Sequence, residues 1–410
     1  MYDLLVVGGG AAGFFAAINT AEKHPDFKIA ILEKSKEVLH KVRISGGGRC
    51  NLTNATFTPA ELVGNYPRGK RELLSPFSRF MCGDVMEWFE ARGVALKTEA
   101  DGRVFPASNT SESIVNCFLS AVQKHSIQLF VKQNVEKIAQ EAEGWAVSTP
   151  EKTYTTRYLL MATGSNPKMW QLLSALGHSI VPPVPSLFTF QTNCQWAKEL
   201  SGVAVKATVR LLSTEGAPLK ISETGALLFT HTGFSGPAVL RASAWGARLL
   251  AEQNYQCLME VNFTPNGGEM LSYEESLPIL QEFKQHNGRK AVQGSALWEL
   301  PKRLWGALTT EAGISGQQLW ADLSKTQLQT LAKALTQYAF RIGGKATFKD
   351  EFVTAGGVKL QEVNFKTFES KLFPHLYFAG EILDIDAITG GFNFQNAWTG
   401  AYIVSESIGN

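Results

Sequence analysis

The strongest constraint on this chain is the run GGGAAG at residues 8–13, directly behind the apolar stretch YDLLVV of residues 2–7. It fits GxGxxG, with Gly8, Gly10 and Gly13 in the three required positions. Such a motif carries weight only between a strand and a helix, and both are legible here. Residues 2–7 read as a strand buried on both faces, and residues 11–23 as a helix whose apolar surface holds Phe14, Phe15, Ala17 and Ile18. Residues 28–32 (KIAIL) form a second buried strand, completing a βαβ unit. In that unit Gly8 permits the tight turn, Gly10 lets backbone approach a pyrophosphate, and Gly13 lets helix pack on strand. Ala11 and Ala12 open a helix whose N-terminus carries roughly half a positive elementary charge, which favours phosphate. Glu33 closes the second strand about 20 residues on, where a carboxylate accepts from ribose hydroxyls. The expectation is a dinucleotide site; the bland alternative is a glycine turn that binds nothing.

Further along, residues 54–130 mix helices and loops, residues 128–149 read as strands, and residues 158–164 form a buried strand ending at Gly164. Pro182, Pro183 and Pro185 then interrupt any regular element. From about 186 to 265 short β-like runs alternate with Gly and Pro turns, which suits an antiparallel barrel or sandwich. Residues 272–340 take helical periodicity, with a capping box at Ser324 and Gln327. Strand returns near 345, HLYFAGE (375–381) is again a buried strand, and 392–408 a closing helix. The middle therefore reads as an insertion, with the two ends of the chain sharing one sheet. The expected division is 1–188 with 355–410, a barrel-like part at 189–271 with 341–354, and a helical insert at 272–340.

Size and composition agree with a multidomain globular protein: 410 residues, 44% hydrophobic, 19% charged. A net charge of +2 makes no electrostatic case for nucleic acid or a membrane surface. Residues 4–21 are apolar, but only Met1, Tyr2 and Asp3 precede them, so the basic n-region of a signal peptide is missing. No other run is long enough to span a bilayer. Five scattered cysteines without a CxxC point to reduced thiols and a cytoplasmic location, and seven isolated histidines suggest no metal site. No heptad pattern speaks to oligomeric state.

GxGxxG does not separate FAD from NAD(P). The turn MATGS (161–165) after a buried strand, and the late return of strand, GE, acidic loop and helix, favour a long cofactor held by distant segments. With these segments in place, the chain resembles the BaiN-like, aminoacetone-oxidase-like family of bacterial NAD(P)/FAD-dependent oxidoreductases, which includes a flavin-dependent bile-acid reductase. The resemblance rests on GGGAAG (8–13), ISGGGRCNLTN (44–54), GRVFPASN (102–109), LLFTHTGFSGPAVL (227–240), TAGGV (354–358) and LYFAGEILDIDAITGGFNFQNAW (376–398). It implies an α/β fold: a Rossmann-like, glutathione-reductase-like FAD-binding domain with an inserted β-barrel domain and a small helical domain.

The resemblance also implies the cofactor contacts. Ser45, Gly46, Gly47, Gly48, Arg49, Cys50 and Asn51 would run along the flavin, with Arg49 and Asn51 as donors. Gly380, Glu381 and Asp384 would line the ribityl chain. Gly390, Gly391, Phe392, Asn393 and Gln395 would meet the pyrimidine end, where the last helix would aim its N-terminus. Lys34, Lys41, Val135, Ala162, Thr163 and Gly164 complete the expected cofactor set. Three positions depart from the family pattern: Leu39 and Ala387 stand where glycine is usual, and Asn396 where tryptophan is.

Several side chains keep two readings. Cys50 is either a redox or covalent-flavin group or a small gap-filler. His231 is either an acid–base catalyst or a partner for neighbouring backbone. Trp170 and Trp398 either wall a pocket or sit in the core, and Arg103 is either an ion-pair partner or a ligand to flavin or substrate. One GxGxxG leaves no second Rossmann domain for NAD(P)H. A nicotinamide reductant would bind transiently at the substrate face, or the substrate reduces the flavin and dioxygen reoxidises it. The expected activity is hydride transfer at flavin N5 to or from a small molecule. The alternatives are a flavoprotein acting on RNA and a FAD-bound sensing or interaction protein without turnover.

Overall fold

Short apolar runs far apart in sequence have nowhere to bury both faces except beside one another in a parallel sheet. The computed structural model describes residues 1–266, 269–346 and 353–409. Contacts divide the chain into two compact units, Met1–Val184 with Val353–Asn410, and Pro185–Phe352. Part of the barrel-like stretch expected at 341–354, residues 347–352, lies outside the described residues, as do 267–268.

In the first unit β1 (Tyr2–Val7), α1 (Ala11–Lys23) and β2 (Ile29–Leu32) form the expected βαβ unit. The sheet runs Val363–Asn364, Glu369–Ser370, Leu376–Phe378, Thr153–Met161, β1, β2, Gln128–Phe130. From Leu376–Phe378 to Gln128–Phe130 all neighbours are parallel, with Val7 opposite both Leu32 and Met161. β1 is the switch point: the chain moves outward to β2 on one side and later returns on the other. α1 is buried along almost its whole length, from Ala12 to Ala21, because it packs against the sheet and the last helix, Phe392–Ser407. Phe15 sits among Phe80, Trp88 and Trp398. A small antiparallel sheet, β3 (Thr53–Asn54) with Arg103–Pro106 and Leu96–Thr98, lies in the stretch read from sequence as helix and loop.

The second unit contains a closed six-stranded barrel in the order Phe190–Thr192, Gly233–Ser235, Pro218–Phe229, Ala204–Leu212, Cys257–Asn262, Tyr338–Lys345. Helices Tyr273–Asn287, Lys302–Glu311 and Lys325–Thr336 share one hydrophobic core with it. The capping box forms as read: Gln327 N–H donates to Ser324 Oγ (3.1 Å) and Ser324 N–H to Gln327 Oε1 (3.0 Å). One β-like run ends early. Pro237 takes the first position of a helix, Pro237–Trp245, where its missing N–H costs nothing. Among the described residues no helix is long and apolar enough to cross a membrane, and no cluster of three His, Cys, Asp or Glu side chains could hold a metal ion.

Candidate functional site

Four adjacent parallel strands end along one edge of the first unit's sheet, and the chain leaves each through a segment singled out in the sequence. β1 ends in Gly8–Gly10, β2 in Glu33, Thr153–Met161 in Ala162–Gly164, and Leu376–Phe378 in Gly380–Glu381. A crevice outside the carboxyl ends of strands, at a switch point, is where open α/β sheets bind ligands.

The three motif glycines answer different demands. Gly8 has φ +115°, and a Cβ there would overlap the Ala162 carbonyl. A Cβ on Gly13 would overlap the Gly8 carbonyl oxygen. Gly10 has φ −96° and ψ −167°, and a Cβ there would meet nothing within 4 Å. The fold itself therefore has no need of glycine at position 10. No side chain caps α1, so its first N–H groups lack a capping side-chain acceptor.

Glu33 fastens the turn from the other side. Its Oε2 accepts from Gly9 N–H (2.9 Å) and its Oε1 from Ser35 N–H (2.8 Å), leaving lone pairs on both oxygens. Lys34 is exposed, and Val135 is buried just beyond Gln133, whose N–H donates to the Glu33 carbonyl (2.8 Å). At the next strand end Ala162 N–H donates to Val7 O (2.8 Å), while the Thr163 hydroxyl is buried with no partner among the described residues. Gly164, at φ +60°, faces the Glu381 carboxylate, which pairs with Lys41. A Cβ on Gly380 would stand 3.4 Å from Ala12 Cβ, so this strand end lies against the first turn of α1. Asp384 N–H donates to Val358 O (3.1 Å).

α2 (His40–Gly48) enters through Leu39, a left-handed residue with φ 59°. The leucine thus keeps a turn that glycine would take without strain, at roughly 1–2 kcal/mol. The helix is broken at Ser45 and passes through left-handed Gly46, Gly47 and Gly48 before Cys50, at φ 60°. Gly46 and Gly47 are exposed, so this stretch presents backbone. Cys50 does not: it is fully buried, and burial pushes its thiol up to about 12, against a weaker opposing hydrogen bond with Ser45. A protonated, enclosed thiol fits the gap-filling reading.

Several expected ligands spend their side chains elsewhere. The Arg49 guanidinium stacks on Phe105 (4.0 Å) and pairs with Glu99 (2.7 Å). Arg103 pairs with the same Glu99 (2.9 Å) and with Asp101 (2.7 Å). The Asn51 amide accepts from Gly391 N–H (3.0 Å) and donates to Thr53 O (3.2 Å). Asn393 clasps Ala387, accepting from its N–H (3.0 Å) and donating to its carbonyl (3.1 Å). Ala387 avoids the left-handed region, so the missing glycine costs nothing there. Gln395 is fully buried, accepting from Thr53 Oγ1 (2.6 Å) and donating to Thr399 Oγ1 (3.0 Å). Trp170 and Trp398 are buried too, donating to Ile382 O (2.9 Å) and Leu52 O (3.0 Å). Phe392 is buried, and its carbonyl accepts from Tyr66 Oη (2.6 Å). Gly391, left-handed at φ 95°, starts the last helix with no side-chain cap. His231 is exposed on the turn between Pro218–Phe229 and Gly233–Ser235 of the second unit.

Sequence reasoning gave no role to Thr53 and Tyr66, which bond to the last helix at Gln395 and Phe392, or to Asn54 and Arg68, which bond to the loop before it at Gly390 and Asp386. Only Asp386 carried a signal, a carboxylate set between Ile385 and Ala387 that requires a partner if buried.

Comparison with known proteins agrees with this architecture. The chain is 27% identical to a ribosomal RNA dihydrouridine synthase of Haemophilus influenzae, over 98% of each chain. It is also 27% identical to a 3-dehydro-bile acid delta(4,6)-reductase of Clostridium scindens, again over 98% of each. The crystal structure of a 3-ketosteroid-delta4-(5alpha)-dehydrogenase from Rhodococcus jostii superposes with a TM-score of 0.52 at 13% identity, covering 98% of this chain and 96% of that one, a likeness of fold. The model for the HI0933-like protein Rossmann domain matches residues 2–407. On that match the chain belongs to the HI0933-like protein Rossmann domain family, and it is a FAD-dependent oxidoreductase.

Proposed function

We propose that FAD lies across the four strand ends, with its pyrophosphate on Gly8–Gly13 and its adenosine ribose on Glu33. Gly10 carries this reading: its backbone is ordinary and the space beside it empty, so its lack of a side chain serves something other than the fold. The orphaned Thr163 hydroxyl supports it, since buried polar groups find partners. Lys34 and Val135 are proposed for the adenine end. Lys41, Ala162, Thr163, Gly164, Gly380, Glu381 and Asp384 are proposed for the ribityl stretch, and the Ser45–Cys50 backbone, Gly391 and Phe392 for the ring. Asn51, Asn393 and Gln395 then act as supports behind these contacts.

Bound there, FAD supplies hydride transfer at N5. We propose a reductase acting on a carbon–carbon double bond conjugated to a carbonyl, with NAD(P)H as transient reductant. The support is chemical. The names of the two relatives describe reductions, one of a dehydro bile acid and one of uridine, whose reducible ring bond is conjugated to a carbonyl. The uncapped N-terminus of the last helix suits negative charge on the reduced ring. Exposed His231 is proposed as the proton donor, since an imidazole can give and take a proton; His231→Asn should then lower kcat.

A small enone is the favoured substrate class. Uridine in RNA is the second reading, favoured by the relative's name against a net charge of only +2. The test is anaerobic. NADPH, then NADH, should bleach the yellow protein, and a steroid-like enone should restore its colour with saturation of the double bond. Reoxidation by a ribosomal RNA fragment alone would favour the RNA reading. Bleaching by aminoacetone but not by nicotinamide would replace the reductase with an amine oxidase, and a cofactor that stays oxidised with every donor would sink both.

A further inference from the structure

Asp386 is fully buried, and the Arg68 side chain that meets it is only 13% exposed. The contact is two-pronged, with Arg68 Nε on one carboxylate oxygen and Nη2 on the other. A buried ion pair adds little net stability, because desolvating both charges offsets their attraction. What a two-pronged pair does supply is a fixed geometry. The backbones of the two residues also bridge antiparallel, and Ile388 N–H donates to Asn65 O (3.0 Å). Gly69, at φ +86°, has Ile385 Cγ1 2.7 Å from where its Cβ would be. Tyr66 Oη donates to Phe392 O (2.6 Å), and Asn54 Nδ2 to Gly390 O (3.0 Å). Residues 65–69 are therefore a brace laid along residues 385–392, and Arg68 fastens it to that loop by an ion pair with Asp386.

We infer that Arg68 is a positioning residue for the flavin site: through Asp386 it sets the Gly390–Gly391 turn and so aims the first N–H groups of the last helix. The inference rests on the cofactor placement proposed above. Correctly aimed, that helix end stabilises negative charge on the reduced ring; misaimed, it makes reduction less favourable.

The test compares wild type with Arg68→Ala, Arg68→Lys and Asp386→Asn. It reads the midpoint potential of the bound flavin and the amide exchange of residues 388–393, the latter also in apoprotein. Arg68→Ala should keep FAD, lose about tenfold in the equilibrium constant for reduction, about 30 mV for a two-electron couple, and exchange faster at Gly390 and Gly391. Millimolar guanidinium should restore both readouts. Arg68→Lys should recover them only in part, since it returns the charge without the fork. A folded Arg68→Ala with wild-type potential and exchange, differing only in thermal midpoint, would make Arg68 a plain structural brace and overturn the inference. If that variant does not fold, unchanged potential and exchange in Arg68→Lys and Asp386→Asn overturn it equally. Failure of the cofactor placement looks different: Gly10→Asp would retain FAD.

Discussion

Gly10 and Gly13 stand three residues apart and are glycines for unrelated reasons. Gly13→Ala pushes a methyl into the Gly8 carbonyl, so it should lower stability by at least about 2 kcal/mol, seen as a lower thermal midpoint with or without cofactor. Gly10→Ala should leave the midpoint of the apoprotein unchanged. Equal losses in both variants would contradict this division. Cys50 illustrates a different limit. With its thiol near 12, iodoacetamide at pH 8 should label it about three orders of magnitude more slowly than an ordinary free cysteine; labelling at the ordinary rate would reopen a thiolate role. The motif glycines were legible because their spacing is local. The inward commitments of Asn51, Asn393 and Gln395 were not, because each depends on a partner that only the fold supplies. Gln395 and Thr53, for instance, are 342 positions apart.

Among elements, the β1–α1–β2 unit followed directly from apolar pattern and glycine spacing, and the last helix from its length. Strands of two to four residues, such as those at 96–98 and 103–106, are too short to show a period. The segments around His178 give a pH prediction at this scale. Ser370 Oγ accepts N–H groups from Leu372 and Phe373 (both 3.0 Å), so its hydroxyl proton is directed to His178 Nε2 (3.0 Å). Nδ1–H then donates to Glu362 Oε2 (3.0 Å), and the ring is held neutral. Burial lowers the His178 pKa, outweighing Glu362, which raises it. The unfolded chain binds a proton near pH 6.5 that the native one refuses until lower pH. This contribution is therefore fully present above about pH 6.5 and is lost as pH falls, at up to about 1.4 kcal/mol per unit. His178→Gln should flatten the stability profile between pH 6.5 and 5; an unchanged slope would exclude His178 as its source.

For the whole molecule, the meeting of the chain's two ends in one sheet was legible, because the apolar runs around residues 2–7 and 376–378 have no other way to be covered as parallel strands. The segments that hold the loop before the last helix were not, since Tyr66 and Arg68 lie in no motif and meet Asp386 and Phe392 only through the fold. The central claim is that FAD sits on the strand ends with its pyrophosphate against Gly10. Its most direct test is the FAD content of purified Gly10→Asp beside wild type, with thermal midpoints of both apoproteins as the folding control. The account predicts a folded variant whose carboxylate repels the phosphates and which retains less than about a tenth of the wild-type FAD. A folded variant with stoichiometric FAD would contradict it.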